Sequence, residues 1–320
     1  MPKLKVFSGT AGASLARAVC QKLSINLGGV ALERFHDGEI RVQLLEDVRD
    51  ADVFIVNATN PPAENLLEML FLTDAIRRSS AKRITAVLTY LGYNRQDRKD
   101  KPRVPISARV VIDMLSNSGA NRALLLDLHS EPTMGFFASN VVVDHLKASI
   151  ASVPYLREIL PEPFVVASPD KGGGPRTEAY AKLLGQDDYV VFFKSRPEPG
   201  AVDKKSIKII GDVRGRNILF IDDMIDTGGT IITDAEAAQK AGALDVYAYA
   251  THFLASENAI ARLDASPIKE VVVMDTIAHL PEELQTNRLK ITTLPVAPLL
   301  AEAIRRIHDG DSLSSLFLSV

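Results

Sequence analysis

The sequence predicts an α/β fold: two similar domains, each with a mainly parallel sheet flanked by helices. Two observations predict it. Short apolar runs alternate with stretches of helical period, the pattern of strand–helix–strand crossovers. The alternation also runs through the chain twice, with a join near 148–163. The composition allows such a pair, since 320 residues at 46% hydrophobic and 24% charged leave room for two cores.

In the first half, runs at 4–7, 29–34, 41–44, 53–56, 84–88 and 123–126 read as strands. Helical periods cover 14–23, 63–78 and 107–118. The second of these places Leu66, Leu67, Leu70, Phe71 and Ile76 on one broad face. In the second half, strands are expected at 164–167, 189–193, 218–221, 246–251 and 271–274. Helices are expected at 176–184, 229–241, 258–263 and 297–307.

Charge and cysteine content narrow the function. A net charge of −3 gives no general attraction to nucleic acid or to an anionic membrane, so any phosphate chemistry has to come from local clusters. No apolar run reaches transmembrane length, and the opening "MPKLKVFSGT" lacks an apolar signal core. The single cysteine, Cys20, allows neither an intrachain disulfide nor a Cys/His metal framework. It falls in the helix at 14–23 and reads as a buried structural thiol, which suits a reducing, cytoplasmic setting.

Open parallel sheets bind ligands beyond the carboxyl ends of their strands. The segments that follow the apolar runs are therefore the candidate sites. After 218–221 comes "DDMIDTGGT", with Asp222, Asp223, Asp226, Thr227, Gly228, Gly229 and Thr230 immediately before a helical period. Free amides at a helix start, with two threonine hydroxyls, suit a phosphate. Two glycines let the backbone close around it. Carboxylates accept hydrogen bonds, so Asp222 and Asp223 suit neighbouring sugar hydroxyls. The pattern points to a phosphorylated polyol, with a divalent ion offsetting the acids.

Five further segments follow strands. "RFHDGEI" spans 34–40. "YNRQDRKDKPR", 93–103, holds five basic residues against two acids and reads either as a solvated loop or as a polyphosphate site. "DLHSE" offers His129 as a metal ligand or as a hydrogen-bonded structural histidine. "SPDKGGGPR" sets Asp170 ahead of three glycines, either a flexible turn or a close ligand approach. "KSRPEPG", 194–200, reads as an irregular loop whose cations close over phosphates, or as a surface hairpin. Neither a P-loop nor a dinucleotide fingerprint occurs.

In chain order, "FHDGE", "YNRQDRK", "PISAR", "DLHS", "GFF", "SPDKGG", "IDDMIDTGGTI" and "PLLAEAI" resemble the ribose-phosphate pyrophosphokinase family over nearly the whole chain. The resemblance implies two phosphoribosyltransferase-like domains, with 1–147 on the nucleotide side and 148–320 carrying the sugar-phosphate loop. The last helix would pack back on the first domain. It implies transfer of the diphosphate of ATP to the 1-hydroxyl of ribose 5-phosphate, with Mg2+, for nucleotide biosynthesis. By that analogy Phe35, Asp37, Glu39, Arg95, Gln96 and Asp100 bind nucleotide. Asp222, Asp223, Asp226, Thr227, Gly228, Gly229 and Thr230 bind ribose 5-phosphate. His129 and Asp170 organise the metal, while Lys194 and Arg196 act on the transferring group. A homohexamer built from dimers is implied, without nucleic acid or membrane partners.

Some residues depart from the family pattern. Asp47 stands where many relatives place a serine, which puts phosphate activation in question. Lys171 follows Asp170 where histidine or alanine is usual. Ser195 and Glu198 make the 194–200 loop less basic. Two rival readings are a phosphoribosyltransferase, which shares the sugar-phosphate turn, and a non-catalytic regulatory paralogue.

Overall fold

The structure, a computed structural model, describes residues 2–194 and 207–316, with Lys194 described in its backbone only. The chain starts with β1 (Leu4–Ser8) and α1 (Ala13–Leu23), then a hairpin of β2 (Val30–Arg34) and β3 (Ile40–Leu44). There follow β4 (Asp52–Ala58), α2 (Glu64–Arg78), β5 (Arg83–Tyr90), α3 (Ser107–Ser118), β6 (Arg122–Leu126) and β7 (Val142–Leu146). Five of these strands form a sheet in the order β1-β4-β5-β6-β7, parallel throughout.

Next come α4 (Ser149–Ile159), β8 (Phe164–Ser168), α5 (Gly174–Leu184), β9 (Tyr189–Lys194) and β10 (Ile207–Ile210). The chain continues through β11 (Asn217–Ile225), α6 (Gly229–Lys240), β12 (Val246–Phe253), α7 (Ala259–Asp264), β13 (Ile268–Met274), β14 (Lys290–Leu294) and α8 (Ala297–Asp309). Its sheet runs β10-β9-β8-β11-β12-β13-β14, with only β9–β10 antiparallel. The expected α/β architecture is present.

The chain forms two compact units. The first takes the N-terminal part through Ala148, Thr276–Ala278 and the C-terminal part from Val296. The second takes Ser149–Asp275 and His279–Pro295. Parallel strands covered on both faces read as unbroken apolar runs, and β4 and β12 are buried at every position. Each unit has its own core, around Val53, Ile55, Leu72 and Ile112 in the first and Phe192, Phe220, Ala248 and Val271 in the second.

The helices supply the covering stripes. On α3, Ala108, Val111, Ile112 and Leu115 face inward, and Gly119 ends the helix at φ +119, a left-handed geometry that glycine adopts without a Cβ clash. Within the first unit α8 packs on α1. It is held by Asp52, fully buried at the start of β4. Asp52 takes a forked pair of bonds from Arg83, and His308 Nδ1 lies 2.8 Å from its Oδ2. Arg83 also donates to the Ile307 carbonyl at 2.8 Å. Cys20 is buried, and burial pushes its thiol up to about 11, consistent with a structural role.

The structure corrects the sequence reading in three places. The join near 148–163 contains a full helix, α4, which Pro154 disguised. Strands β7, β10 and β14 were not expected. Each is an edge strand of its sheet and is only partly buried, so its apolar signal is weak. Strand β11 also outlasts its apolar run: Asp222 and Asp223 lie on it rather than after it. The partner β12 continues the ladder, pairing Met224 with His252 and Ile225 with Phe253.

In the second unit, Asp264 at the end of α7 accepts the amides of Asn287, Arg288 and Leu289 at 3.1, 2.8 and 2.7 Å. Those three donors hold its carboxyl down to about 2. Its folded-state pKa is depressed, so the contribution is fully present above the ordinary aspartate value and is lost as pH falls toward 2. Asp264→Asn is expected to lower the melting temperature at pH 7, with the gap to wild type closing as pH drops from about 4 to about 2. Thermal unfolding followed by circular dichroism across that range checks it. A gap that stays constant with pH refutes it.

Candidate functional site

In the second unit, β11 occupies the middle of the sheet between β8 and β12 and carries the acids to its carboxyl end. Asp223 is nearly enclosed, with 4% of its side chain exposed, and Asp222 is 28% exposed. Arg176, in the first turn of α5, donates through Nη1 to Asp223 Oδ1 at 2.9 Å and to Asp222 Oδ1 at 3.3 Å. Asp222 Oδ1 also accepts the Asp223 amide at 2.8 Å. One guanidinium thus serves two carboxylates.

That charge balance leaves Asp222 short of compensation. Burial pushes its carboxyl well above the usual carboxylate range, and the neighbouring Asp223 charge adds to the shift. Arg176 pulls the other way without offsetting it. Although part of the Asp222 side chain reaches solvent, the charged form has little water of its own. The arrangement favours a ligand that brings hydrogen-bond donors or positive charge to this carboxyl.

The turn after β11 is built for close approach. Gly228 takes φ +72, a left-handed geometry, and precedes α6 with no side-chain cap bond. The first amides of α6 therefore have no capping side chain, at the end of the helix where the dipole favours an anion. Asp226, Thr227 and Gly229 are partly buried and Thr230 is exposed around this turn. Arg262 of α7 donates to the Thr227 carbonyl at 3.1 Å. Its guanidinium lies close enough to Gly229 that a Cβ there would meet Nη2 at 3.2 Å.

Asp170 follows β8, the strand beside β11. It is exposed, and its Oδ1 accepts the Gly173 amide at 2.7 Å. That bond organises the glycine turn. Lys171 sets its ammonium 4.2 Å from the centre of the Phe193 ring, at the end of β9. Lys194 ends β9, and Arg196 lies outside the described residues.

In the first unit, "RFHDGEI" forms the turn of the β2–β3 hairpin, closed by the Phe35 amide on the Glu39 carbonyl at 2.8 Å. Asp37 Oδ1 accepts the Glu39 amide at 3.1 Å. Phe35, Asp37 and Glu39 are all exposed, Phe35 at 52%. The segments after β5 and β6 are brought together, because those strands are neighbours. Ser130 donates to Asp97 Oδ2 at 2.6 Å, which joins the "RQD" and "DLHS" loops directly. Gln96 is anchored to the start of α3: its side-chain oxygen accepts the Ser107 hydroxyl and its carbonyl accepts the Ala108 amide at 3.2 Å. Arg95, Asp100 and His129 are exposed at these loops.

The sequence reading missed Arg176, Arg262 and the anchoring role of Ser107 and Ser130. Among the described residues, no three His, Cys, Asp or Glu side chains cluster at metal-ligand spacing.

The N-terminal domain of ribose phosphate pyrophosphokinase matches residues 4–119, and the phosphoribosyl synthetase-associated domain matches 185–318. A ribose-phosphate pyrophosphokinase of Shewanella oneidensis is 46% identical over 320 residues, covering 99% of both chains. The chain belongs to the ribose-phosphate pyrophosphokinase family. A family member from Buchnera aphidicola is 47% identical over 321 residues, again covering 99% of both. The crystal structure of phosphoribosylpyrophosphate synthetase from Mycobacterium smegmatis superposes with a TM-score of 0.89 at 37% identity, over 96% of this chain and 99% of that one. The family's two-domain pattern thus extends over nearly the whole chain.

Two outcomes follow from the geometry at the β11 tip. Asp223→Asn removes the charge that helps raise the Asp222 pKa, so the acid limb of kcat/KM for ribose 5-phosphate is expected to move to lower pH. A pH–rate profile checks it, and an unmoved or upward-shifted limb counts against the coupling. Gly228→Ala puts a Cβ into left-handed geometry, costing about 1–2 kcal/mol of stability, while the amides that follow it keep their place, so KM for ribose 5-phosphate is expected to stay unchanged. Denaturant unfolding and initial rates check the two expectations.

Proposed function

We propose that this chain transfers the diphosphate of ATP to the 1-hydroxyl of ribose 5-phosphate, giving phosphoribosyl pyrophosphate and AMP. Family membership supports the reading. The observation that carries it is the tip of β11, where two carboxylates on one strand lead straight into an uncapped helix start. Acceptors for ring hydroxyls and donors for a 5-phosphate stand at the two ends of one short segment.

In this reading Asp222 and Asp223 accept from the pentose hydroxyls, with Arg176 fixing both carboxyls. The amides from Gly229 onward, with Thr227 and Thr230, hold the phosphate. Arg95 and Gln96 grip the nucleotide, and Ser107 fixes the orientation of Gln96. The exposed Phe35 ring, with Asp37 and Glu39, supports a nucleotide contact made to a second copy of the chain, and hence a homo-oligomer; a homohexamer built from dimers remains the form the resemblance implies. Asp100 stands in the same basic segment.

The donor set fits Mg2+, a hard cation that takes oxygen ligands and keeps several waters beside substrate phosphates. Asp170, an exposed carboxylate at a strand tip, suits such an ion. His129, a nitrogen donor, suits it less and fits better beside the phosphates or bound water. When bound, the ion neutralises phosphoryl oxygens. The chain's own part is positioning: the sugar hydroxyl has to lie in line with the bond that breaks, and most of the rate comes from alignment and electrostatics. Lys194 and Arg196 are assigned to the charge that develops on the transferring group.

AMP formation from ATP that depends on both ribose 5-phosphate and Mg2+ tests the function. A phosphoribosyltransferase would instead consume phosphoribosyl pyrophosphate with a nucleobase, and a regulatory paralogue would do neither. Lys194→Ala is expected to lower kcat by about a thousandfold with little change in KM. Normal turnover with a raised KM would remove Lys194 from the transition state.

A further inference from the structure

We propose that His145, through its imidazole Nε2, is a positioning residue for the loop that carries His129. His145 lies on β7 and is only 8% exposed. The Leu128 amide donates to its Nε2 at 3.0 Å. An amide can only donate, so Nε2 has to be the unprotonated nitrogen of a neutral ring, with the proton on Nδ1. A backbone donor next to His129 is thereby fixed to a side chain of the neighbouring strand.

Everything around this bond acts on the same four residues. The chain leaves β6 at Asp127 with φ +37, a geometry unfavourable for a residue with a Cβ. It is held there by the Asp127 amide on the Leu146 carbonyl and by the Ala148 amide on Asp127 Oδ2, both at 3.1 Å. Downstream, Ser130 bonds Asp97 at 2.6 Å, and Thr133 donates to the Ser130 carbonyl at 2.6 Å. His129 thus lies between two fixed neighbours, Leu128 held from β7 and Ser130 held from the "RQD" loop. Leu128 is 4% exposed, so without an acceptor at position 145 its amide would be a buried donor left unmet. The loop would then shift to find another partner, and His129 would move with it.

The sequence reading did not reach His145, which lies on a strand it did not expect and 17 residues from its partner. The proposal rests on the nucleotide-side reading of the loop, but the bond itself is measurable without any activity. In wild-type protein, the imidazole 15N shifts of His145 are expected to report the Nδ1–H tautomer with Nε2 accepting. An Nε2–H tautomer overturns the proposal with no variant needed.

His145→Phe keeps a flat ring at this site and removes the acceptor. It is expected to speed hydrogen exchange of the Leu128 amide and to lower kcat for AMP formation by about tenfold to a hundredfold, with KM for ribose 5-phosphate unchanged. His145→Gln, whose side-chain oxygen reaches toward the same point, is expected to restore most of both. Unchanged Leu128 exchange in His145→Phe, unchanged kcat, or a His145→Gln variant no better than His145→Phe each overturns the positioning role. If wild type makes no AMP, the functional reading fails while the tautomer and exchange measurements still decide whether the clamp exists.

Discussion

Two carboxylates on consecutive residues of a nearly buried strand repel each other and lose water, and Arg176 is what makes the pair tolerable. Its single Nη1 spans Asp222 and Asp223. The arginine reaches them because α5 starts directly after β8, the strand paired with β11. The balance is deliberately incomplete in its effect: Asp222 still lies well above the usual carboxylate range because of burial and its neighbour's charge. A partly buried acid whose charge is not fully compensated is poised for a ligand that supplies what is missing. Hydroxyl donors and a cation both do so.

Parallel pairing turns this local balance into a site. Every strand of the first sheet, and all but β10 of the second, run the same way as their neighbours, so their carboxyl ends emerge together. In the first unit this sets the "RQD" and "DLHS" loops side by side, and the Ser130–Asp97 bond fixes the distance. In the second it sets the Asp170 turn beside the β11 tip. The residues that anchor these loops, Ser107, Ser130 and Arg176, are as necessary to the geometry as the residues the ligands would touch.

The pieces legible in the sequence are those whose signal is local. The apolar runs of β4, β5, β11 and β12 announce strands because burial on both faces needs unbroken hydrophobicity. The acids and glycines of 222–230 announce a ligand turn because that chemistry is packed into nine residues. What stayed hidden depends on the fold. Arg176 lies 46 residues before Asp222, and Arg262 lies 35 residues after Thr227, so no spacing rule links them. The end of β11 was misplaced because two aspartates normally end a strand, whereas here the ladder with β12 continues past them. Pro154 hid α4 in the same way, by a local rule that tertiary packing overrode.

The two units also divide the charge in the way the proposed reaction would require of its two substrates. A triphosphate needs cations, and the 93–103 segment after β5 supplies arginines and lysines that are largely exposed, with Asp97 already bonded to Ser130. A pentose needs acceptors, and the β11 tip supplies carboxylates. Its phosphate tail needs donors, and the α6 start supplies amides with Arg262 beside them. Had the acids and bases been exchanged, each site would repel its ligand: carboxylates facing a triphosphate, and cations with no lone pair to offer a hydroxyl. The net charge of the chain is close to neutral for its size, so in the proposed reaction it is this segregation that would direct the nucleotide to one unit and the sugar to the other.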